Sequence, residues 1–184
     1  IDISSQAAPF RFTADATHLY NLNGTNVHKY AFSNGAFVST ADISAKVSGT
    51  NATGVAYDGS AFFYVLDKSN SAVHKYNASW AFQSTITLGG TPHSTQTLKN
   101  LAVVYGRLFV GMDEKVRVYA LDGTDLVLTT TTSNSQQDVE AIGSTYVYHI
   151  TTQNSVAAKT ATFDVVGVPS GGIGETSTTY YRVN

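Results

Sequence analysis

The chain has 184 residues, a formal net charge of −2 and no cysteine, with 42% hydrophobic against 13% charged residues. That length fits one well-buried domain, and eleven Tyr with nine Phe set the chain apart from disordered sequences. The missing thiols exclude disulfides and Cys-based zinc sites, no basic patch speaks for nucleic acid, and no apolar run approaches the roughly 20 residues of a membrane-spanning helix.

Abundant Ser, Thr, Val and Tyr with few Lys and Glu predict strands and turns, so the fold class is all-β. The chain opens on Ile1-Asp2-Ile3-Ser4, which resembles Asp42-Ile43-Ser44-Ala45 further on and reads as an orphan outer strand. A start at Ile rather than Met is expected of a processed end or an excised segment.

From there the sequence repeats. The first copy has a short strand at Phe10 to Ala14, Leu19-Tyr20, the turn Asn23-Gly24-Thr25, Val27-His28-Lys29-Tyr30, and an outer strand from Phe37 to Ile43. The second has Val55-Ala56-Tyr57, Phe63-Tyr64, the turn Lys68 to Ser71, Val73-His74-Lys75-Tyr76, and Phe82 to Leu88. The third has Leu101 to Tyr105, Leu108-Phe109, the turn Asp113-Glu114-Lys115, Val116-Arg117-Val118-Tyr119, and Leu126 to Thr131. A degenerate fourth has Val139 to Ile142, Tyr146-Val147-Tyr148, the turn Gln153-Asn154-Ser155, Val156-Ala157-Ala158, and an outer strand at Phe163 to Val166. After the Gly-rich turn 170–174 comes a last strand-like run, Thr178 to Val183.

Alternation of apolar and polar residues in the outer strands suits half-buried sheets, and Asn-Gly or Asp-Gly supplies the positive φ of tight hairpins. Copies spaced by roughly 40–46 residues match four-stranded propeller blades. The expectation is one propeller-like domain over 1–184, with repeats at about 9–45, 53–90, 98–132 and 137–168 and terminal strands at 1–6 and 177–184. An unpaired strand at either end invites pairing. The termini pair with each other inside one molecule, or residues 1–6 are given to a neighbour and build a head-to-tail fibre.

The second copy, YVLDKSNSAVHKYNASWAFQST (Tyr64–Thr85), resembles the repeats of NHL-type and related six-bladed propellers. Those have an aromatic-Val-x-Asp strand, an Asn-containing turn and a Val/Ile-x-x-Tyr/Phe strand. The other copies match less fully. The resemblance implies architecture, and function does not travel with it.

No nucleophile elbow, metalloprotease helix, P-loop or dinucleotide fingerprint occurs, so neither a catalytic site nor a cofactor is expected. His18, His28, His74, His93 and His149 occur singly, and His28 with His74 hold equivalent repeat positions, which reads as structural. Asp138 and Glu140, two apart on a strand, are the carboxylate pair a propeller hydrolase would need. Asp67 with Ser69 and Ser71 superficially matches a calcium loop but lacks its other ligands. Asn23, Asn51 and Asn77 head N-x-S/T sequons in predicted turns and are N-glycosylation candidates.

These readings point to a non-enzymatic, extracellular or cell-surface structural or adhesive module. Its partners would be copies of itself or another surface protein. The alternative is a carbohydrate-binding propeller using Tyr30, Tyr76 and Tyr119 against glycans, which requires those rings to be exposed. Otherwise they pack repeat against repeat.

Overall fold

The computed structural model describes residues 11–90, 97–104, 106–112, 115–131, 137–142, 146–155 and 158–167, with side chains at 11–90, 97–104, 106–112 and 116–126. Runs rich in Val, Tyr, Phe and Thr, broken by Asn, Asp and Gly, fold into antiparallel meanders as their alternation requires.

Sheet one holds β1 (Phe12–Ala14), β2 (His18–Asn23), β3 (Asn26–Ala31) and β4 (Phe37–Asp42). Sheet two holds β5 (Ala52–Tyr57), β6 (Phe62–Asp67), β7 (Ala72–Asn77) and β8 (Phe82–Thr87). Sheet three holds β9 (Asn100–Val104), β10 (Arg107–Gly111), β11 (Lys115–Ala120) and β12 (Asp125–Thr131). Sheet four has β13 (Gln137–Ile142), β14 (Tyr146–Ser155) and β15 (Ala158–Gly167). The described residues contain no α-helix, only a 3₁₀ turn at Gly49–Asn51. First strands stand side by side, β1 by β5, β5 by β9 and β9 by β13, so the sheets follow one another around a common axis. This is a propeller-like array.

The fourth repeat departs from expectation. β14 runs straight through the expected turn at Gln153-Asn154-Ser155, and Phe163 pairs with Ile150 and Val165 with Tyr148. The expected outer strand at Phe163–Val166 is therefore part of the third strand. The cause is local: 146–155 is a β-branched and aromatic run with no Gly or Pro to stop the ladder. Val156 and Ala157, and both terminal strands (1–6 and 177–184), lie outside the described residues.

Each of the first two sheets buries side chains from both faces. Tyr20, Leu22 and Val27 of sheet one meet Val55, Phe63, Val65 and Tyr76 of sheet two. The other face of sheet two (Tyr64, Leu66, Val73, Ile86) meets Leu101, Val103, Leu108, Val110 and Tyr119 of sheet three. At roughly 1.5–3 kcal/mol per fully buried large side chain, these two interfaces hold sheets one, two and three together.

A register shift interrupts the third-to-fourth strand ladder at the same place each time: Lys29/Tyr30, Lys75/Tyr76 and Val118/Tyr119. The turn that follows needs one left-handed residue. Sheet one places Gly35 there (φ 72°), sheet three Gly123 (φ 89°), and sheet two Trp80 (φ 63°). Gly123 is also fixed by close approach: a Cβ would overlap the Thr87 carbonyl oxygen, and its own carbonyl accepts the Gly89 N–H at 2.9 Å.

Gly123→Ala is therefore expected to lower stability by about 3 kcal/mol, combining left-handed strain with overpacking. Gly59→Ala, also at positive φ (78°) but facing open space, should cost about 1 kcal/mol. Chemical denaturation of the two variants checks the difference, and equal losses would contradict the close approach.

Candidate functional site

The three repeat tyrosines do not form a ligand surface. Tyr30, Tyr76 and Tyr119 are 4%, 2% and 0% exposed. Each follows the register shift, and Tyr76 and Tyr119 turn inward onto the preceding sheet. Burial pushes the Tyr76 phenol up to about 12, with the Asp67 charge adding to it, and burial also raises Tyr30. A stacking sugar has no access to these rings, which corrects the glycan assignment made for them. Bulky apolar rings on the inter-sheet face are worth more buried than open.

Asp67 is fully buried, yet its carboxylate is satisfied. It accepts the Ser69 N–H (3.0 Å) and hydroxyl (2.7 Å), the Asn70 N–H (3.3 Å) and side-chain amide (2.7 Å), and lies 3.4 Å from His74 Nε2. Burial works to raise its pKa, but the hydrogen bonds from Ser69, Asn70 and His74 outweigh it and hold the group below the usual range. All this is turn chemistry rather than a calcium cradle.

His74 Nδ1 lies 3.0 Å from the exposed Thr85 hydroxyl, so Thr85, His74 and Asp67 form a chain with the outline of a hydrolase triad. Sheet one argues against that role. There His28 Nδ1 meets Thr40 Oγ1 at 2.8 Å in the same cross-strand register, and Asn23 stands where Asp67 does. The His–Thr pair is a repeat feature across strands three and four. Asp138 and Glu140 fall on β13, opposite Ile150 and Tyr148 in register, and His149 lies on β14 opposite Val139. His93 lies outside the described residues.

The sequons occupy half-buried turn or strand-end positions. Asn23 closes β2 and Asn51 ends the 3₁₀ turn, at the same end of the sheets. Asn77 ends β7 at the opposite end, where its Oδ1 accepts the Ser79 N–H and hydroxyl (both 3.0 Å) and the Ala81 N–H (2.9 Å).

A feature not expected from the sequence gathers at that opposite end, between sheets one and two. Phe63 is buried under three rings: Tyr20 (4.5 Å between centroids), Trp80 (4.6 Å, 22° between planes) and Tyr57 (4.8 Å). Trp80 and Tyr57 stay half-exposed. The Tyr20 hydroxyl donates to Asp15 Oδ2 at 2.6 Å, while Asp15 Oδ1 accepts the Thr17 N–H and hydroxyl and the His18 N–H. Burial tends to raise Asp15, but the Tyr20, Thr17 and His18 donors bring it down to about 2. The available signal was Trp80 itself, the chain's one tryptophan, at a position where two other repeats use glycine.

Phe32, just after β3, and Phe37 and Val38, at the start of β4, are large apolar groups open to solvent. Phe37 is 58% exposed, and its counterpart Phe82 is 37% exposed beneath the Lys46 ammonium, 4.1 Å from the ring centre.

No protein-family model matches this chain, and no curated protein sequence does. Its fold is similar to several solved propellers. Hydrazine synthase of Kuenenia stuttgartiensis aligns over 94% of this chain and 49% of its own, at 14% identity and TM-score 0.57. The WD40 domain of Neurospora crassa Pan2 aligns over 92% and 51%, at 8% identity and 0.58. Glutaminyl cyclase of Myxococcus xanthus aligns over 85% and 64%, at 13% identity and 0.59. The chain spans about half the length of the first two. The likeness establishes a β-propeller-type repeat fold, and neighbours with such different names leave function open.

Asp15, Asp58 and Asp67 all have folded-state pKa values below the ordinary 3.8. The unfolded chain thus binds more protons in this range, and their stabilisation is present above pH 4 and lost as pH falls toward 2. Asp67→Ala should cost about 2–3 kcal/mol at neutral pH by orphaning its donors. Asp67→Asn should flatten the acid limb. Urea titrations between pH 2 and 7 measure both effects, and an unchanged acid limb would refute the assignment.

Proposed function

We propose that this chain is a non-enzymatic structural or adhesive module of the cell exterior that works through protein–protein contacts, chiefly with copies of itself. The observation that carries this reading is that Phe32, Phe37 and Val38 are all open to solvent near the start of β4, with Phe37 (58%) more exposed than its counterpart Phe82 (37%). Large apolar side chains left in water along one strand end favour an interaction surface.

Strand edges support the same reading. Among the described residues no strand pairs on the outer side of β4, β8 or β12. β4 and β8 are six residues long and rich in exposed Ser and Thr, which discourages indiscriminate pairing yet leaves the backbone available to a matched strand. Residues 1–6 resemble the stretch at the end of β4 and are the proposed donor in a head-to-tail fibre. Glycans on Asn23 and Asn51 would sit at the end away from Phe32 and leave it uncovered. The non-enzymatic part of the reading rests on Asp67, His74 and Thr85 serving the turn and the cross-strand pair.

Light scattering on the whole chain and on a chain lacking residues 1–6 tests the donation: truncation should reduce the mass to that of one chain, and an unchanged mass would sink it. Phe37→Glu with Val38→Lys is expected to weaken association tenfold or more with little change in circular dichroism, as read by sedimentation velocity.

A further inference from the structure

We propose that sheet four of a second copy is the acceptor for residues 1–6. The outer edge of β15 takes them as its fourth strand, Ile3 fills the seam between that sheet and the donor's sheet one, and the outer face of sheet one docks there. This names the acceptor for the self-association proposed above and rests on that reading. The strand count is the first reason. Sheets one, two and three each have four strands, whereas sheet four has three among the described residues and ends on β15 (Ala158–Gly167). An unpaired strand edge of that length takes a further strand through backbone hydrogen bonds alone.

The residue just past each outer strand is the second reason. The Ile43 N–H, after β4, donates to the Thr25 carbonyl in the β2–β3 turn at 2.9 Å, and its side chain is buried between sheets one and two. The Leu88 N–H, after β8, donates to the Ser71 carbonyl in the β6–β7 turn at 2.9 Å, and its side chain is buried between sheets two and three. Each of these sheets closes the seam to its successor with one apolar residue. Asp2-Ile3-Ser4 repeats Asp42-Ile43-Ser44, which makes Ile3 the same plug. Spacing agrees: Ile43 stands nine positions before Ala52, the first residue of β5, and Ile3 nine positions before Phe12, the first of β1. A link of that length steps from one sheet to the next, so Ile3 belongs to a sheet preceding sheet one. Among the described residues none stands there, because β13 lies beside β9 and not beside β1. Sheet four of another copy fits the place.

The outer face of sheet one is the third reason. Sheet two covers the equivalent face with sheet one, which buries Val55, Phe63, Val65 and Tyr76. In register, Leu19 stands opposite Tyr30 as Phe63 does opposite Tyr76, and Phe12 opposite Asn21 as Val55 does opposite Val65. Tyr30 and Asn21 are already buried, but Phe12 and Leu19 stay half-exposed where Val55 and Phe63 are 2% and 1% exposed. Phe37, whose ring centre is 5.9 Å from that of Tyr30, lies open beside them. A sheet arriving as the predecessor of sheet one covers these three side chains by the contact the chain already uses between its own sheets. Because the two surfaces differ, copies add head to tail.

Light scattering and amide hydrogen exchange on the 184-residue chain, its Ile3→Asp variant and a chain lacking residues 1–6 make the test. Ile3→Asp leaves every described strand intact and should weaken association tenfold or more. Exchange across 158–167 should be at least tenfold slower in the assembled chain than in either altered chain. Leu19→Glu should weaken association by a similar factor with the circular dichroism spectrum unchanged, and if it unfolds, the exchange comparison still decides. Association that survives Ile3→Asp, or protection gained along β4, β8 or β12 instead of 158–167, overturns this acceptor while self-association stands. Protection at 158–167 that persists without residues 1–6 assigns the edge to the chain's own 177–184 run and also overturns it. An unaltered chain with the mass of a single copy at every concentration sinks both readings together.

Discussion

A four-stranded sheet with apolar side chains on both faces has no stable existence by itself in water, and this constraint organises the whole chain. Sheet two shows it most clearly: Phe63, Val65 and Tyr76 need a neighbour on one side, and Tyr64, Leu66 and Val73 need one on the other. Stacking in series satisfies both faces at once, and the sheets that meet are consecutive in sequence. Turns, bulges and polar pairs are subordinate to that arrangement. They set where each strand stops and which rings face inward.

The aspartates illustrate this subordination. Asp15, Asp58, Asp67 and Asp122 each follow a strand or open a turn, and each carboxylate accepts the N–H of the residue two positions on. A chain so poor in charge spends its acids on local backbone geometry. The same logic explains why a Thr–His–Asp alignment is present without implying chemistry: its two ends belong to a turn and to a cross-strand pair that exist for separate reasons.

The architecture was legible in the sequence because the repeats keep the residues that propagate a meander. Leu19-Tyr20, Phe63-Tyr64 and Leu108-Phe109 all fall on second strands, and the outer strands begin within a residue of where alternation placed them. The fourth repeat was misread because Asn154 resembles a turn residue, although the neighbouring β-branched side chains favour continuing the ladder. Exposure was not legible. Tyr76 and Trp80 are both aromatics near the end of β7, and the bulge at Lys75/Tyr76 buries the first while the left-handed turn holds the second at the surface. Neither twist of the backbone has a signature in hydrophobic pattern alone.

The contact between Gly123 and Thr87 has a geometric corollary. Backbone lies against backbone at the outer strands of sheets two and three, and Gly54 lies close to the Asn100–Leu101 backbone at the inner strands. With no side chain as a spacer at either rim, the wedge between these sheets is as narrow as two polypeptide backbones allow. Curvature of the array is the sum of such wedges, so the number of sheets in a full turn is set partly by two residues that contribute no bulk at all.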